Sequence, residues 1–300
     1  MTIIEQIKKL KKELNATILA HFYQSVAVQE VADYSGDSLG LSIKAQKSDS
    51  ELIVFCGVRF MAETAAMLSP HAKVLLPVED AGCPMADMIT PEQLIELKKH
   101  HPGAAVVCYV NSSAAVKAES DICCTSSNAV EVLKSLPEEQ EIIFVPDVNL
   151  GTWAARQSGR KVIAWNGFCP IHQWGFERRR LDKLMAKHPG YTVLAHPECD
   201  EDIVEVADHV LCTSGILRFI EDNDEVIVAT DHGFTEYARH LWPEKQIISL
   251  NSRARCKNMQ KTTLHSVLDA LVQQQYLVTV PPEIASRAVG SINRMLEVSR

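Results

Sequence analysis

The chain has 300 residues, 46% of them hydrophobic and 23% charged, an ordinary composition for a globular protein with a sizeable core. Its formal net charge of −8 argues against a basic surface, so we expect no nucleic acid and no anionic membrane as a partner. Because no apolar run approaches the roughly 18 residues of a membrane span and the first residues lack a secretion-signal pattern, we expect a cytoplasmic protein.

The chain begins with a predicted amphipathic helix, in which Ile4, Ile7, Leu10 and Leu14 recur at helical spacing. Beyond it, short β-branched runs alternate with helical stretches, a pattern typical of parallel sheets covered by helices. The predicted strands are, in chain order, 17–21, 51–56, 73–76, 104–109, 121–124, 141–145, 161–165, 191–195, 208–212, 225–229 and 246–250. Residues 261–300 are predicted to form helices that complete the last part of the chain.

These segments fall into three similar rows. The first strand of each row is followed by a pair of polar residues: His21 with Tyr23, Tyr109 with Asn111, and His196 with Glu198. A helix then ends at an acidic residue, and a hydroxyl residue marks the start of the next helix: Asp33 and Ser38, Glu119 and Ser126, Asp208 and Thr213. We therefore predict three similar three-layer αβα domains with parallel sheets around a pseudo-threefold axis, over 1–88, 89–174 and 175–300, the last including C-terminal helices.

Each row closes with a strand and a cysteine, and these cysteines recur at nearly equal intervals: Cys83, Cys169 and Cys256. Ligands in parallel α/β sheets bind beyond the carboxyl ends of the strands, so three equivalent ends would enclose one central site. Three cysteines there could hold one metal centre, an iron–sulfur cluster or zinc. A four-iron cluster normally takes four cysteines, so three would leave one iron open. The other cysteines, on or beside strands, are expected to be buried apolar side chains: Cys56, Cys108, Cys123, Cys124, Cys199 and Cys212.

The polar residues after the strands allow two interpretations. His21 and His196, beside Tyr23 and Glu198, suggest proton transfer and substrate orientation, although either imidazole could instead only bind backbone groups. The hydroxyl residues at the helix starts could simply be N-caps. They could also mark helix ends that bind phosphate or carboxylate groups.

Several common nucleotide and catalytic motifs are absent from the sequence. It contains no G-x-G-x-x-G loop, no G-x-x-x-x-G-K-[ST] loop, no G-x-S-x-G and no H-E-x-x-H. A nicotinamide-dependent or ATP-dependent mechanism therefore has no local support.

Longer segments carry a family resemblance over residues 17–260. They are AHFYQ (20–24), GDSLGLS (36–42), GCPMADM (82–88), CYVNSSAAVKA (108–118), DICCTSSNAV (121–130), PDVNLG (146–151), CPIH (169–172), AHPEC (195–199) and CKNM (256–259). In their order and spacing these segments resemble the quinolinate synthetase A family.

The resemblance implies a three-domain αβα fold and a [4Fe–4S] cluster on Cys83, Cys169 and Cys256, with one iron open to substrate as a Lewis acid. It implies a transferase that condenses iminoaspartate with dihydroxyacetone phosphate to quinolinate, phosphate and two waters, in NAD biosynthesis. An aspartate oxidase or dehydrogenase would supply the iminoaspartate. The catalytic residues that it implies are His21, Tyr23, His196 and Glu198. The substrate-binding residues that it implies are His21, Ser38, Tyr109, Asn111, Ser126, His196, Glu198 and Thr213.

Two features depart from the family pattern. Cys212 stands where the family usually has a serine, which puts any role of that hydroxyl in doubt. Cys256 is single, whereas some members carry a cysteine triplet, so a redox-switch disulfide is not expected there.

Two other functions compete with this interpretation. An aconitase-type hydro-lyase also uses a three-cysteine cluster, but two of its cysteines lie close together in sequence, unlike the three here. A non-catalytic iron–sulfur or zinc sensor would need a recognisable partner surface, such as a basic helix-turn-helix, which this acidic chain does not show.

Overall fold

The computed structural model describes residues 1–299, which form three separate four-stranded sheets, all parallel. The first sheet has the order β2-β1-β3-β4, with β1 (Ala16–His21), β2 (Tyr34–Gly36), β3 (Leu52–Cys56) and β4 (Lys73–Leu75). The second has the order β6-β5-β7-β8, with β5 (Ala105–Tyr109), β6 (Ile122–Cys124), β7 (Ile142–Val145) and β8 (Ile163–Ala164). The third has the order β10-β9-β11-β12, with β9 (Thr192–Ala195), β10 (His209–Val210), β11 (Glu225–Ala229) and β12 (Gln246–Ser249). The three sheets therefore share one topology.

Helices connect the strands and cover the sheets. Around the first sheet they are α1 (Ile3–Glu13), α2 (Val26–Val31), α3 (Ser38–Gln46) and α4 (Arg59–Leu68). Along the second part of the chain they are α5 (Pro91–His100), α6 (Ala114–Ala118), α7 (Ala129–Ser135), α8 (Val148–Ser158) and α9 (Pro170–Trp174). The rest are α10 (Arg178–Lys187), α11 (Glu201–Val204), α12 (Thr213–Asp222), α13 (His232–Leu241), α14 (Leu264–Gln273) and α15 (Pro282–Val298).

The fold confirms the predicted parallel αβα architecture, and each of the eleven predicted strands overlaps an observed one. The sequence missed β2, a strand of only three residues that ends in glycine. Its backbone nevertheless pairs in register with β1, from Leu19 with Tyr34 to His21 with Gly36. The first sheet thus gains the edge strand that the other two also have.

The first sheet shows how the strands acquire a layer of helices on each face. Ile18, Ala20 and Val54 belong to one apolar cluster, with α1, α2 and α14. Leu19 and Ile53 point to the opposite face and belong to the cluster that includes α3 and α4. Since successive residues of a strand face opposite sides, a strand that is apolar throughout needs cover on both.

In each sheet, an aspartate just before the second strand accepts a backbone hydrogen bond from the first strand. The backbone N–H of Ile18 donates to Asp33 Oδ2 (2.8 Å) and that of Val193 donates to Asp208 Oδ2 (2.8 Å). In the second sheet the equivalent acceptor is Asp121, which binds the N–H of Val106 (2.7 Å). The sequence analysis places Glu119 at this point, which is wrong: the acceptor lies 15 residues after the donor in all three sheets, and in the second sheet that residue is Asp121. The threefold repeat therefore extends to individual hydrogen bonds.

The C-terminal helices do not complete the third part of the chain, contrary to the prediction. Helix α14 packs on α1 and β3 of the first part, and α15 packs on α6 and β6 of the second. Between them, the backbone of Val278 donates to Val74 O (2.8 Å) and that of Leu76 donates to Tyr276 O (3.0 Å), beside β4. Apolar residues at helical spacing predict that one face of each helix is buried, but they do not predict which sheet covers that face. The domain boundaries at 88 and 174 stay predictions.

Among residues 1–299, no helix has both the length and the apolar character needed to cross a membrane.

Candidate functional site

The carboxyl ends of the three sheets converge on one cavity. The carboxyl ends of β1, β5 and β9, with the first residues beyond them, carry the polar pairs predicted from the sequence. The cavity lining includes every predicted site residue: His21, Tyr23, Ser38, Cys83, Tyr109, Asn111, Ser126, Cys169, His196, Glu198, Thr213 and Cys256. Residues far apart in the chain are thus brought to one place by repetition of a single strand–helix arrangement.

Three cysteines in this cavity differ from the other six in their burial. Cys83, Cys169 and Cys256 are partly exposed, whereas Cys56, Cys108, Cys123, Cys124, Cys199 and Cys212 are buried, as predicted. All nine are free thiols. Burial raises the pKa of Cys83 to about 12 and that of Cys256 to about 11, and the pKa of Cys169 also lies well above its ordinary value. Nearby Glu198 contributes to all three shifts, and neighbouring thiols contribute to those of Cys83 and Cys169.

An aspartate holds the backbone of one cysteine loop. Asp231 is the N-cap of α13, where its Oδ1 accepts the N–H of Gly233 (2.7 Å). Its Oδ2 accepts the N–H of Cys256 (2.5 Å). Asp147 is the N-cap of α8 at the equivalent point of the second sheet, where its Oδ1 accepts the N–H of Leu150 (2.8 Å). Asp231 therefore fixes Cys256 relative to a helix start.

Glu198 is the centre of a buried hydrogen-bond network. The phenol of Tyr109 donates to Glu198 Oε1 (2.5 Å), and His172 Nδ1 lies 2.9 Å from Glu198 Oε2. Burial raises the pKa of this carboxyl, but the imidazoles of His172 and His196 and the hydrogen bonds outweigh it, so its pKa lies below the ordinary value. Glu198 is therefore an ionised acceptor near neutral pH.

The network continues from His172 to Tyr23. His172 Nε2 lies 3.0 Å from Thr230 Oγ1, and the same hydroxyl lies 2.8 Å from the Tyr23 hydroxyl. Burial and the negative charge of Glu198 raise the pKa of Tyr23 well above its ordinary value, so the phenol keeps its proton. A row of proton-exchanging groups thus runs from Tyr23 through Thr230 and His172 to Glu198.

The two predicted histidines have matching hydrogen bonds. His21 Nδ1 accepts the N–H of Tyr23 (3.2 Å), and His196 Nδ1 accepts the N–H of Glu198 (3.4 Å). Burial lowers the pKa of His21 to about 4 and that of His196 to about 3. Each imidazole is therefore neutral, with its proton on Nε2, and His196 Nε2 lies 3.2 Å from Ser126 Oγ. Each histidine thus binds a backbone N–H group and also lines the cavity.

The hydroxyl residues are not the helix caps, so the capping alternative is wrong. The N-caps of α3, α7 and α12 are Asp37, Asn128 and Cys212. Cys212 caps with its thiol, which accepts the N–H of Gly215 (3.3 Å). Ser38 and Thr213 are the first residues of their helices, and their side chains line the cavity.

The cavity has few fixed positive charges. No arginine or lysine lines it within residues 1–299, although Asp37, Glu198 and Asp231 do. Three thiols of high pKa in such a place would ionise together only beside a strongly positive centre. Cys169, His172 and Glu198 also bring their ligand atoms within 4.8 Å of one another. These donors fit a metal centre.

Among the titratable residues that line the cavity, sequence reasoning missed three: Asp37, His172 and Asp231. His172 follows Cys169 by three residues on a short helix, so both face one side, and the quoted CPIH segment contained that signal. Asp231 follows the third strand of its sheet, at the same carboxyl edge as the residues that were found.

Comparison with known proteins gives a consistent result. The family model described as "Quinolinate synthetase A protein" matches residues 5–297. The chain is 50% identical to the quinolinate synthase of Methanoregula boonei over 294 residues, 97% of each chain. It is 48% identical to quinolinate synthase 2 of Methanosarcina acetivorans over 299 residues, 99% of this chain and 96% of the relative. It is also 48% identical to the quinolinate synthase of Geobacter metallireducens over 304 residues, 100% of this chain and 98% of the relative.

Proposed function

This chain belongs to the quinolinate synthetase A family, whose relatives are enzymes named quinolinate synthase, and we propose that it condenses iminoaspartate with dihydroxyacetone phosphate. The products would be quinolinate, phosphate and two waters. One observation carries the proposal: three free thiols, one following each sheet, meet in a single cavity with Glu198, Tyr109 and Tyr23. Such a cavity combines a metal-ligand set with groups that accept and donate protons.

Cys83, Cys169 and Cys256 would hold a [4Fe–4S] cluster. The fit rests on their thiol chemistry, their common cavity and the positive charge that their raised pKa values require. When bound by three protein thiolates, such a cluster supplies one open iron that can act as a Lewis acid on substrate oxygen. Asp231 would keep the loop of Cys256 in position for it.

Glu198 and Tyr23 would carry the proton transfers of isomerisation and dehydration. Glu198 is ionised, is held by Tyr109 and is stabilised by His172, so it can accept a proton or stabilise positive charge on the imidazole. Tyr23 keeps its proton and can donate it to a departing hydroxyl, with Thr230 beside it to share the hydrogen bond. His21 and His196, both neutral, would donate from Nε2 to substrate oxygen.

The carboxylate and phosphate groups of the substrates would be bound by neutral donors. Ser38 and Thr213 open α3 and α12, where backbone N–H groups and the helix dipole favour anions. Ser126 and Asn111 line the same cavity from the second part of the chain. Because the cavity lacks lysine and arginine side chains in the described residues, hydroxyl, amide and imidazole donors are the available partners.

Iminoaspartate hydrolyses readily, so an oxidase or dehydrogenase acting on aspartate must supply it in the same compartment. The cytoplasmic location stays a prediction, and the partnership is functional rather than a proposed physical contact.

The test is an anaerobic assay with dihydroxyacetone phosphate and iminoaspartate generated enzymatically in the same vessel. We expect quinolinate and phosphate to appear in equal amounts, and to disappear when either substrate is omitted. Hydration or dehydration of a hydroxy acid without quinolinate formation would instead favour the aconitase-type hydro-lyase. Bound iron without any turnover would favour a sensor.

A further inference from the structure

Lys117 is a fully buried lysine close behind the wall of the cavity. Its side chain is 0% exposed and is among the largest fully buried side chains of the protein. It lies on α6, which follows the loop that carries Tyr109 and Asn111. A buried ammonium costs several kcal/mol of desolvation unless its surroundings compensate, so a lysine here needs a physical reason.

The Lys117 amino group hydrogen-bonds to the backbone of the turn that follows β5. Lys117 Nζ donates to the backbone oxygen of Ser112 (2.5 Å), and Ser112 Oγ donates to the backbone oxygen of Tyr109 (2.9 Å). Tyr109 in turn donates to Glu198 across the cavity. Three consecutive hydrogen bonds thus connect Lys117 to the carboxylate at the centre of the network.

The C-terminal helix holds Lys117 in place. Ser291 Oγ on α15 donates to the backbone oxygen of Lys117 (2.9 Å) and lies 3.4 Å from Cys123 Sγ. Nζ also lies 5.4 Å from the centre of the Phe60 ring, a distance at which the ring attracts a cation. Phe60 itself lines the cavity, so the ring contacted by Lys117 is part of its wall.

Burial and the neighbouring groups act in opposite directions on the pKa of Lys117. Burial has the larger effect and lowers it, while Cys123, Cys108, Glu63 and Cys83 act to raise it. Cys83 belongs to the cavity, so the ammonium is near enough to interact with its wall. No lysine or arginine lines the cavity itself within residues 1–299.

We propose that Lys117 is a positioning residue: its buried ammonium fixes the 109–112 turn and so sets the orientation of Tyr109 toward Glu198. It touches no substrate and acts through the turn. This role rests on the proposed function only in so far as Tyr109 serves the reaction, because the orientation of Tyr109 can be measured without turnover.

The test uses the full-length protein, purified without oxygen and labelled with 3-fluorotyrosine. The chain has six tyrosines, and the Tyr109 resonance is identified by its loss in Tyr109→Phe. In Lys117→Met, which keeps an unbranched side chain only one atom shorter but removes the amino group, we expect the ¹⁹F resonance of Tyr109 to shift or broaden while that of Tyr23 stays. Misplacement of a catalytic contact by about 1 Å can cost about 100-fold in rate, so kcat/KM for quinolinate formation should fall at least about tenfold.

Two further variants separate positioning from simple stabilisation. Ser112→Ala leaves Lys117 in place but breaks the bond to Tyr109 O, so it should move the same resonance even if Lys117→Met does not fold. Ser120→Ala removes a bond to Val116 O at the end of the same helix (2.8 Å) and should leave the Tyr109 resonance unchanged. A folded Lys117→Met protein with the wild-type Tyr109 resonance would overturn the proposal. So would an unchanged resonance in Ser112→Ala. If the wild-type protein makes no quinolinate but the Tyr109 resonance still changes in these variants, the positioning role is supported and only the proposed reaction is contradicted.

Discussion

The phenol of Tyr109 and the carboxylate of Glu198 form a 2.5 Å hydrogen bond between the second and the third sheet. Tyr109 ends β5 and Glu198 follows the equivalent strand β9, so the contact joins two copies of one structural motif. It also fixes the carboxylate beside His172, at 2.9 Å.

Glu198→Gln should abolish most activity while leaving the protein folded. Its amide is nearly isosteric but can neither accept a proton nor balance positive charge on His172, so kcat should fall about 10²- to 10⁴-fold. Single-turnover assays with anaerobically purified protein would measure this. Glu201→Gln is the matched control, because Glu201 is an exposed residue on α11 and its surface ion pair contributes little. Wild-type activity of Glu198→Gln would exclude the proton-transfer role.

The three cavity cysteines should be required for iron binding. We expect about four irons per wild-type chain after anaerobic purification, and far fewer in Cys83→Ala, Cys169→Ala and Cys256→Ala. Cys124→Ala, in the buried part of β6, should retain the iron. Iron and sulfide analysis with absorption spectroscopy would check this. Equal iron in all four variants would rule out the proposed ligands.

Acid should destabilise the protein through His21. The folded pKa of about 4 lies below the ordinary 6.5 because of burial, so the unfolded state binds more protons between these values. This contribution to stability is complete above pH 6.5 and is lost as the pH falls toward 4. Between pH 7.5 and pH 5 it amounts to about 2 kcal/mol.

His21→Asn should reduce this pH dependence, measured as denaturant midpoints at both pH values. The exposed His265 on α14 provides the control, since His265→Asn should leave the slope unchanged. A slope identical in wild type and His21→Asn would show that His21 is not held neutral by the fold.

Gly233→Ala should disturb Tyr23. A Cβ at Gly233 would lie 2.7 Å from the backbone oxygen of Tyr23 and 3.0 Å from Asp231 Oδ1, so backbone must move. We expect a loss of about 1 to 3 kcal/mol in unfolding free energy and a clear drop in kcat. Gly290→Ala is the control, because nothing lies within 4 Å of its Cβ in α15 and alanine favours a helix by about 1 kcal/mol. Equal thermal melting of both variants would contradict the close contact.

Cys212→Ser should stabilise the protein slightly without loss of activity. The thiol caps α12 with a 3.3 Å contact to the N–H of Gly215, and a serine hydroxyl is a better acceptor at that position. We expect a gain of about 0.5 to 1 kcal/mol in unfolding free energy. A decrease in stability would indicate that the larger sulfur is needed for packing against Leu211 and its neighbours.

The sequence was informative where three copies could be compared. His21 and His196, or Cys83 and Cys256, recur at equivalent strand ends, and a repeated polar residue is hard to attribute to chance. His172 and Thr230 have no equivalent in the other rows and were missed for that reason. The position of α15 was also not predictable, because an apolar helix face fits any apolar sheet face and tertiary packing selects among them.

The position of α15 also has a consequence for folding of the protein. Its Ala288, Ile292 and Met295 complete the apolar cluster of the second sheet from a distant part of the chain. Ser291 of the same helix bonds to the backbone oxygen of Lys117 across 174 residues of sequence. Because contacts between residues so far apart form slowly, the second sheet stays incompletely covered until α15 has docked.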